Sequence, residues 1–134
     1  MKTSDIHIRD PFVLPVKAEK IYYLYGTNGP ESWTPAASGI DYYTSSDLQN
    51  WDGPFPGFRP SADFWADRNC WAPEVHLYHG RYYLFASFKA EGKCRGTQIL
   101  AADEPTGPFL PISEEPVTPR DWECLDGTLF VDAK

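Results

Sequence analysis

Short runs of aromatic and β-branched residues alternate along this chain with clusters of Gly, Pro, Asn and Asp. Ile21-Tyr22-Tyr23-Leu24-Tyr25-Gly26, Asp41-Tyr42-Tyr43-Thr44-Ser45, Arg81-Tyr82-Tyr83-Leu84-Phe85-Ala86-Ser87 and Thr97-Gln98-Ile99-Leu100-Ala101 are such runs. Their length and residue types predict strands, because branched and aromatic side chains pack well on a pleated surface. Turn chemistry separates them at Thr27-Asn28-Gly29-Pro30, His79-Gly80 and Glu104-Pro105-Thr106-Gly107-Pro108. No long window places apolar residues at helical spacing. The chain reads as all-β.

The pattern also repeats. Asp10-Pro11-Phe12-Val13 precedes Lys20-Ile21-Tyr22-Tyr23-Leu24-Tyr25, and Ala72-Pro73-Glu74-Val75 precedes Arg81-Tyr82-Tyr83-Leu84-Phe85. Each unit then runs through a further strand and a polar turn into Gly-Pro-Phe, at Gly53-Pro54-Phe55 and Gly107-Pro108-Phe109. A third unit opens at Asp126-Gly127-Thr128-Leu129-Phe130-Val131-Asp132. A repeat of roughly 50–60 residues with about four strands has the size of a propeller blade. The units predicted are a first blade over about 5–60, a second over about 68–118, and the first strand of a third over about 122–134. One blade cannot bury both of its faces, so these residues are expected to be the N-terminal part of a larger propeller. A self-contained two-sheet sandwich is the competing reading.

Composition narrows the functional classes. With Lys plus Arg 12 against Asp plus Glu 19, the formal charge is −7, a poor match for a phosphate backbone, so no nucleic-acid partner is expected. No apolar run approaches the ~20 residues that span a bilayer, and no membrane association is expected. No signal peptide is visible at the N-terminus, which leaves a cytoplasmic protein or a processed secreted or periplasmic form. Cys70, Cys94 and Cys124 are an odd number at wide spacing. That is neither a metal pattern nor a closed disulfide framework, so they read as buried or incidental thiols and no metal ligands are assigned.

The innermost strand of each blade would line the central channel, and its opening position is held by Asp10, Ala72 or Asp126. Carboxylates gathered at a channel mouth suit glycosidic hydrolysis, where one protonates the leaving oxygen and another activates water or attacks directly. The plainer alternative is that Asp10 and Asp126 cap turns. Trp71, beside the channel strand, and Trp33, on the long first-blade loop, are candidates to stack on a sugar. Either ring would serve equally as packing. Tyr22, Tyr23, Tyr82, Tyr83 and Trp51 read as structural. His76 shares a strand face with Glu74 and reads as a hydrogen-bonded core residue.

Arg9-Asp10-Pro11-Phe12-Val13 with Tyr22-Tyr23-Leu24-Tyr25-Gly26-Thr27 resembles the opening blade of glycoside hydrolase family 43, the five-bladed propeller enzymes. Trp71-Ala72-Pro73-Glu74-Val75-His76 with Gly80-Arg81-Tyr82-Tyr83-Leu84-Phe85 resembles its second blade, and Leu125-Asp126-Gly127-Thr128-Leu129-Phe130-Val131-Asp132 the start of its third. The resemblance covers essentially the whole chain but less than half of the family's catalytic domain. It implies an inverting glycosidase acting on arabinose- or xylose-containing polysaccharides. Asp10 would be the general base, and Asp126 the residue that orients the general acid and raises its pKa. The acid is a Glu of a later blade, which no residue here matches. Glu74 lies in the second blade and is assigned a substrate or loop contact, alongside Trp71 and Trp33. The resemblance implies no required cofactor, leaves room for a structural calcium in the complete propeller, and points to a segment or chain that completes it. Two other readings stay open: a non-catalytic carbohydrate-binding or degenerate propeller fragment, and an unrelated β-interaction module.

Overall fold

The computed structural model describes residues 1–29 and 39–133. A short 3-10 turn, Thr3–Asp5, precedes eight strands. Strands β1 (Ile8–Val16), β2 (Ile21–Asn28), β3 (Ile40–Ser45) and β4 (Asp52–Phe58) form one sheet, and β5 (Arg68–Tyr78), β6 (Arg81–Lys89), β7 (Gly96–Ala102) and β8 (Leu110–Pro111) form another. In each sheet the strands lie in chain order and pair antiparallel. β5 packs on β1 and β2, so the inner strands of the two sheets meet while β4 and β8 lie at the outside. These are two consecutive propeller blades. Among the described residues no helix is long and apolar enough to cross a membrane.

The tyrosine-rich runs become the middle strands because both of their faces have something to cover. In β2, Tyr23 and Tyr25 turn toward the second sheet, and Leu24 turns the opposite way against Tyr43 and Trp51. Alternation along a strand puts successive side chains on opposite faces, so a strand buried on both faces reads as a continuous apolar run. The main core lies between the sheets and includes Tyr25, Ile40, Phe58, Val75, Leu84, Phe88, Leu100 and Phe109. Phe58, Phe64 and Phe88 meet there edge to face, with ring centroids 5.1–5.6 Å apart, the geometry their quadrupoles favour.

The turns follow their sequence. His79 and Gly80 both have positive φ (48° and 79°), as a two-residue type I′ hairpin between β5 and β6 requires. Gly107 has φ +85°, and a Cβ there would stand 2.9 Å from the carbonyl oxygen of Gly57. The second sheet's outer turn therefore approaches the first sheet's β4 as closely as only glycine permits. The buried Tyr25 hydroxyl donates to the carbonyl of Pro105 across the same junction.

Two elements differ from the sequence-based expectation. Asp52–Phe58, which the sequence marks only as Gly-Pro-Phe after a polar turn, is strand β4. Its prolines are tolerated because β4 is outermost and their missing N–H groups cost no ladder bond on the open side. At the C-terminal end, Cys124–Ala133 has no strand pairing. It runs beside the second sheet, held by the Cys124 N–H donating to the carbonyl of Arg95 (2.9 Å) and the Asp126 N–H donating to Ser87 Oγ (3.1 Å). The thiols are free: Cys70 is buried, and Cys94 and Cys124 are half-buried. Burial pushes the Cys70 pKa up to about 12, so this thiol is inert at neutral pH.

Candidate active site

The opening position of all three units has the same unusual backbone. Asp10 (φ 50°), Ala72 (φ 48°) and Asp126 (φ 57°) are left-handed. The strand register slips between Arg9 and Phe12 in β1 and between Trp71 and Glu74 in β5. A left-handed residue inside a bulge turns the chain and re-aims its side chain away from the ladder. Such a conformation costs roughly 1–2 kcal/mol outside Gly, less for Asp, whose short polar chain bonds locally.

The bulges converge on one cleft of about 240 Å³, lined by Asp10, Pro11, Phe12, Ala72, Pro73, Glu74 and Asp126. Three of the lining residues are carboxylic acids and none is basic. Such a site suits a neutral, hydroxyl-rich ligand better than an anion, because carboxylates accept hydrogen bonds from hydroxyls and repel phosphate.

Each acid is held differently. Asp10 Oδ2 accepts a hydrogen bond from Thr27 Oγ1 at 2.8 Å. Glu74 Oε2 accepts from Thr128 Oγ1 (2.6 Å) and is hydrogen-bonded to His76 Nε2 (2.9 Å). The His76 ring stands edge-on to Phe12 (5.2 Å) and Phe85 (5.8 Å), so the imidazole is wedged beside the cleft. This is the hydrogen-bonded histidine that the strand alternation implies. Asp126 is fixed through its backbone, by the N–H bond to Ser87.

The sequence-derived candidates therefore divide. Asp10, Glu74 and Asp126 share the cleft. Trp71 precedes Ala72 but is not among the cleft-lining residues. The Arg95 guanidinium lies 3.6 Å above the Trp71 ring, so one face of the indole already holds a cation. Arg95 is itself buried, donates to the carbonyl of Asn69 (2.9 Å), and has its pKa lowered chiefly by burial. Trp33 lies outside the described residues. Trp51 is buried and donates from Nε1 to Thr3 Oγ1 (3.0 Å), a structural role.

Thr27, Ser87 and Thr128 were not singled out from the sequence. A signal existed for two of them: Thr27 and Ser87 occupy matching positions near the ends of the two tyrosine-rich strands. Each bonds to a residue of another unit, Thr27 to Ala72, Ser87 to Asp126 and Thr128 to Glu74, and no local motif announces such a bond. No group of three or more His, Cys, Asp or Glu that could hold a metal ion is present among the described residues.

The glycosyl hydrolases family 43 model matches residues 4–134. An extracellular exo-alpha-(1->5)-L-arabinofuranosidase of Cellvibrio japonicus is 29% identical, over 98% of this chain and 38% of its own. The solved endo-arabinase of Bacteroides thetaiotaomicron superposes with a TM-score of 0.88 at 41% identity, covering 99% of this chain and 44% of that one. The endo-1,4-beta-xylanase of the same organism gives 0.74 at 30% identity, covering 96% and 40%. The chain thus spans about two-fifths of the length of these relatives.

Proposed function

The chain belongs to glycosyl hydrolases family 43, and on that premise we propose that it supplies two carboxylates of a glycosidase acting on arabinose- or xylose-containing polysaccharides. The observation that carries this reading is the convergence of Asp10 and Asp126, at the same left-handed position of their units, on one acidic cleft.

The chemistry follows from the two placements. Asp10, as general base, takes a proton from a water whose oxygen attacks the anomeric carbon. The glycosidic C–O bond breaks on the opposite face, and its oxygen leaves with a proton from a general acid. Attack from the opposite face inverts the anomeric centre. Asp126 acts on that acid: a carboxylate nearby makes a second one harder to ionise and keeps it protonated. Glu74, between them, offers Oε1 to a sugar hydroxyl while Thr128 and His76 hold Oε2. The relatives support the substrate class, since their names join arabinose and xylose polymers.

On the resemblance to the family, the proton donor is a Glu of a later blade that no residue here matches, and the acid would come from a segment or chain that completes the propeller. A completing segment would have Trp122, Leu125 and Phe130 to cover, which are 63%, 54% and 85% exposed. The same missing donor favours a second reading, binding without hydrolysis.

One experiment separates them. The longest gene product that carries these residues is incubated with arabino- and xylo-oligosaccharides, and the anomeric protons are followed by NMR. Hydrolysis whose first product has the inverted configuration is expected. A retained configuration contradicts the base role of Asp10, and saturable binding without turnover establishes the second reading.

A further inference from the structure

We propose that Thr27 is a positioning residue that holds the Asp10 carboxylate against the second sheet; this rests on the reading of Asp10 as the base. Thr27 lies next to last in the tyrosine-rich strand β2, opposite Arg9 in β1 and Ile40 in β3. Its side chain is buried, with 1% of the residue exposed.

A hydroxyl has one proton to give and lone pairs to receive with. Thr27 Oγ1 receives the N–H of Ala72 at 2.8 Å. That N–H sits where the β5 register slips and so needs an acceptor outside the ladder. An amide can only donate, so the contact fixes the sense of the Thr27 hydroxyl, whose proton is left for Asp10 Oδ2 at 2.8 Å. With Oδ2 occupied, Oδ1 is the oxygen presented to the attacking water. One side chain thereby ties the base of the first unit to the backbone of the second, across the cleft that the two units share.

The repeat separates the two halves of this arrangement. Ser87, at the matching place in β6, is also buried and accepts the N–H of Asp126 at 3.1 Å. The accepting half therefore recurs wherever one unit opens against the one before it, and is architectural. The donating half belongs to Thr27 alone of the pair, because the second unit opens with Ala72, which has no carboxylate to receive a proton. A residue needed only for stacking would need only to accept; Thr27 also donates to a candidate reacting group. Threonine suits the double role, since its β-branch restricts χ1 and holds the hydroxyl in one direction.

Thr27→Val keeps the shape and removes both hydrogen bonds, and Thr27→Ser restores both. In this chain the Asp10 Hα–Hβ couplings report whether its side chain keeps one rotamer. A single rotamer is expected for the wild type and Thr27→Ser, and an averaged one for Thr27→Val, with faster exchange of the Ala72 amide. In the longest gene product, Thr27→Val should lower kcat by about 10- to 100-fold with KM unchanged, and Thr27→Ser should recover it. The wild type offers a check that survives a folding failure: a slowly exchanging Thr27 hydroxyl proton with a nuclear Overhauser effect to the Asp10 Hβ protons. A fixed Asp10 rotamer in Thr27→Val, or no such contact in the wild type, overturns the role of Thr27. If instead the rotamer depends on Thr27 but Asp10→Asn leaves turnover intact, the base assignment fails while the hydroxyl contact stands.

Discussion

Asp47 shows how much one carboxylate can settle in this molecule. Its Oδ1 accepts the amides of Gln49 (2.9 Å) and Asn50 (2.8 Å), and its Oδ2 accepts Asn50 Nδ2 (2.7 Å). These bonds, the Asn50 amide foremost, hold its pKa well below the ordinary 3.8. A carboxyl whose pKa is lower folded than unfolded contributes stability that is complete above the ordinary value and is lost as pH falls below it. The melting temperature should therefore drop as pH falls below about 4, and Asp47→Asn, which keeps an acceptor but no titrating group, should shallow that drop. An equally steep acid limb in the variant would place the sensitivity elsewhere. At this scale the sequence was readable where chemistry is local: Asp10 and Asp126 stand out as carboxylates. It was not readable that Ala72 shares their left-handed backbone, since alanine carries no preference for it and the bulge that enforces it depends on the neighbouring strand.

Among elements, the two sheets are coupled chiefly through rings. Phe88 on β6 is fully buried and meets Phe58 on β4 of the other sheet at 5.6 Å. Phe88→Ala should cost about 3–5 kcal/mol by urea denaturation, and combining it with Phe58→Ala should cost less than the two losses added, because the partners touch. Strict additivity would mean that the sheets do not meet there. The strands β2, β3, β6 and β7 were legible because both of their faces are covered and their sequences are correspondingly apolar. β4 was not, since its glycines and prolines signal a turn and only its outer position makes a strand of them. β5 runs from Arg68 to Tyr78, reaching well ahead of the Ala72-Pro73 motif that marks it in the sequence. The polar Arg68-Asn69 start gives no strand signal of its own.

For the molecule as a whole, the repeat builds the cleft. Stacking two units side by side brings their left-handed openings together, so residues far apart in sequence face one cleft. Three of the 19 acidic residues, Asp10, Glu74 and Asp126, line that cleft. The repeat made this arrangement visible in the sequence, while the inter-unit hydroxyl contacts that set its geometry depend on how the sheets stack. On the proposed function Asp10 and Asp126 are reacting-site carboxylates and not merely turn residues. The most direct test compares hydrolysis of aryl arabinofuranosides and xylosides by the longest gene product with that of its Asp10→Asn and Asp126→Asn variants, at matched melting temperatures. Both variants should lose about 10²–10⁴-fold in kcat; an Asp10→Asn protein that folds normally and turns over at the wild-type rate would rule out Asp10 as the base.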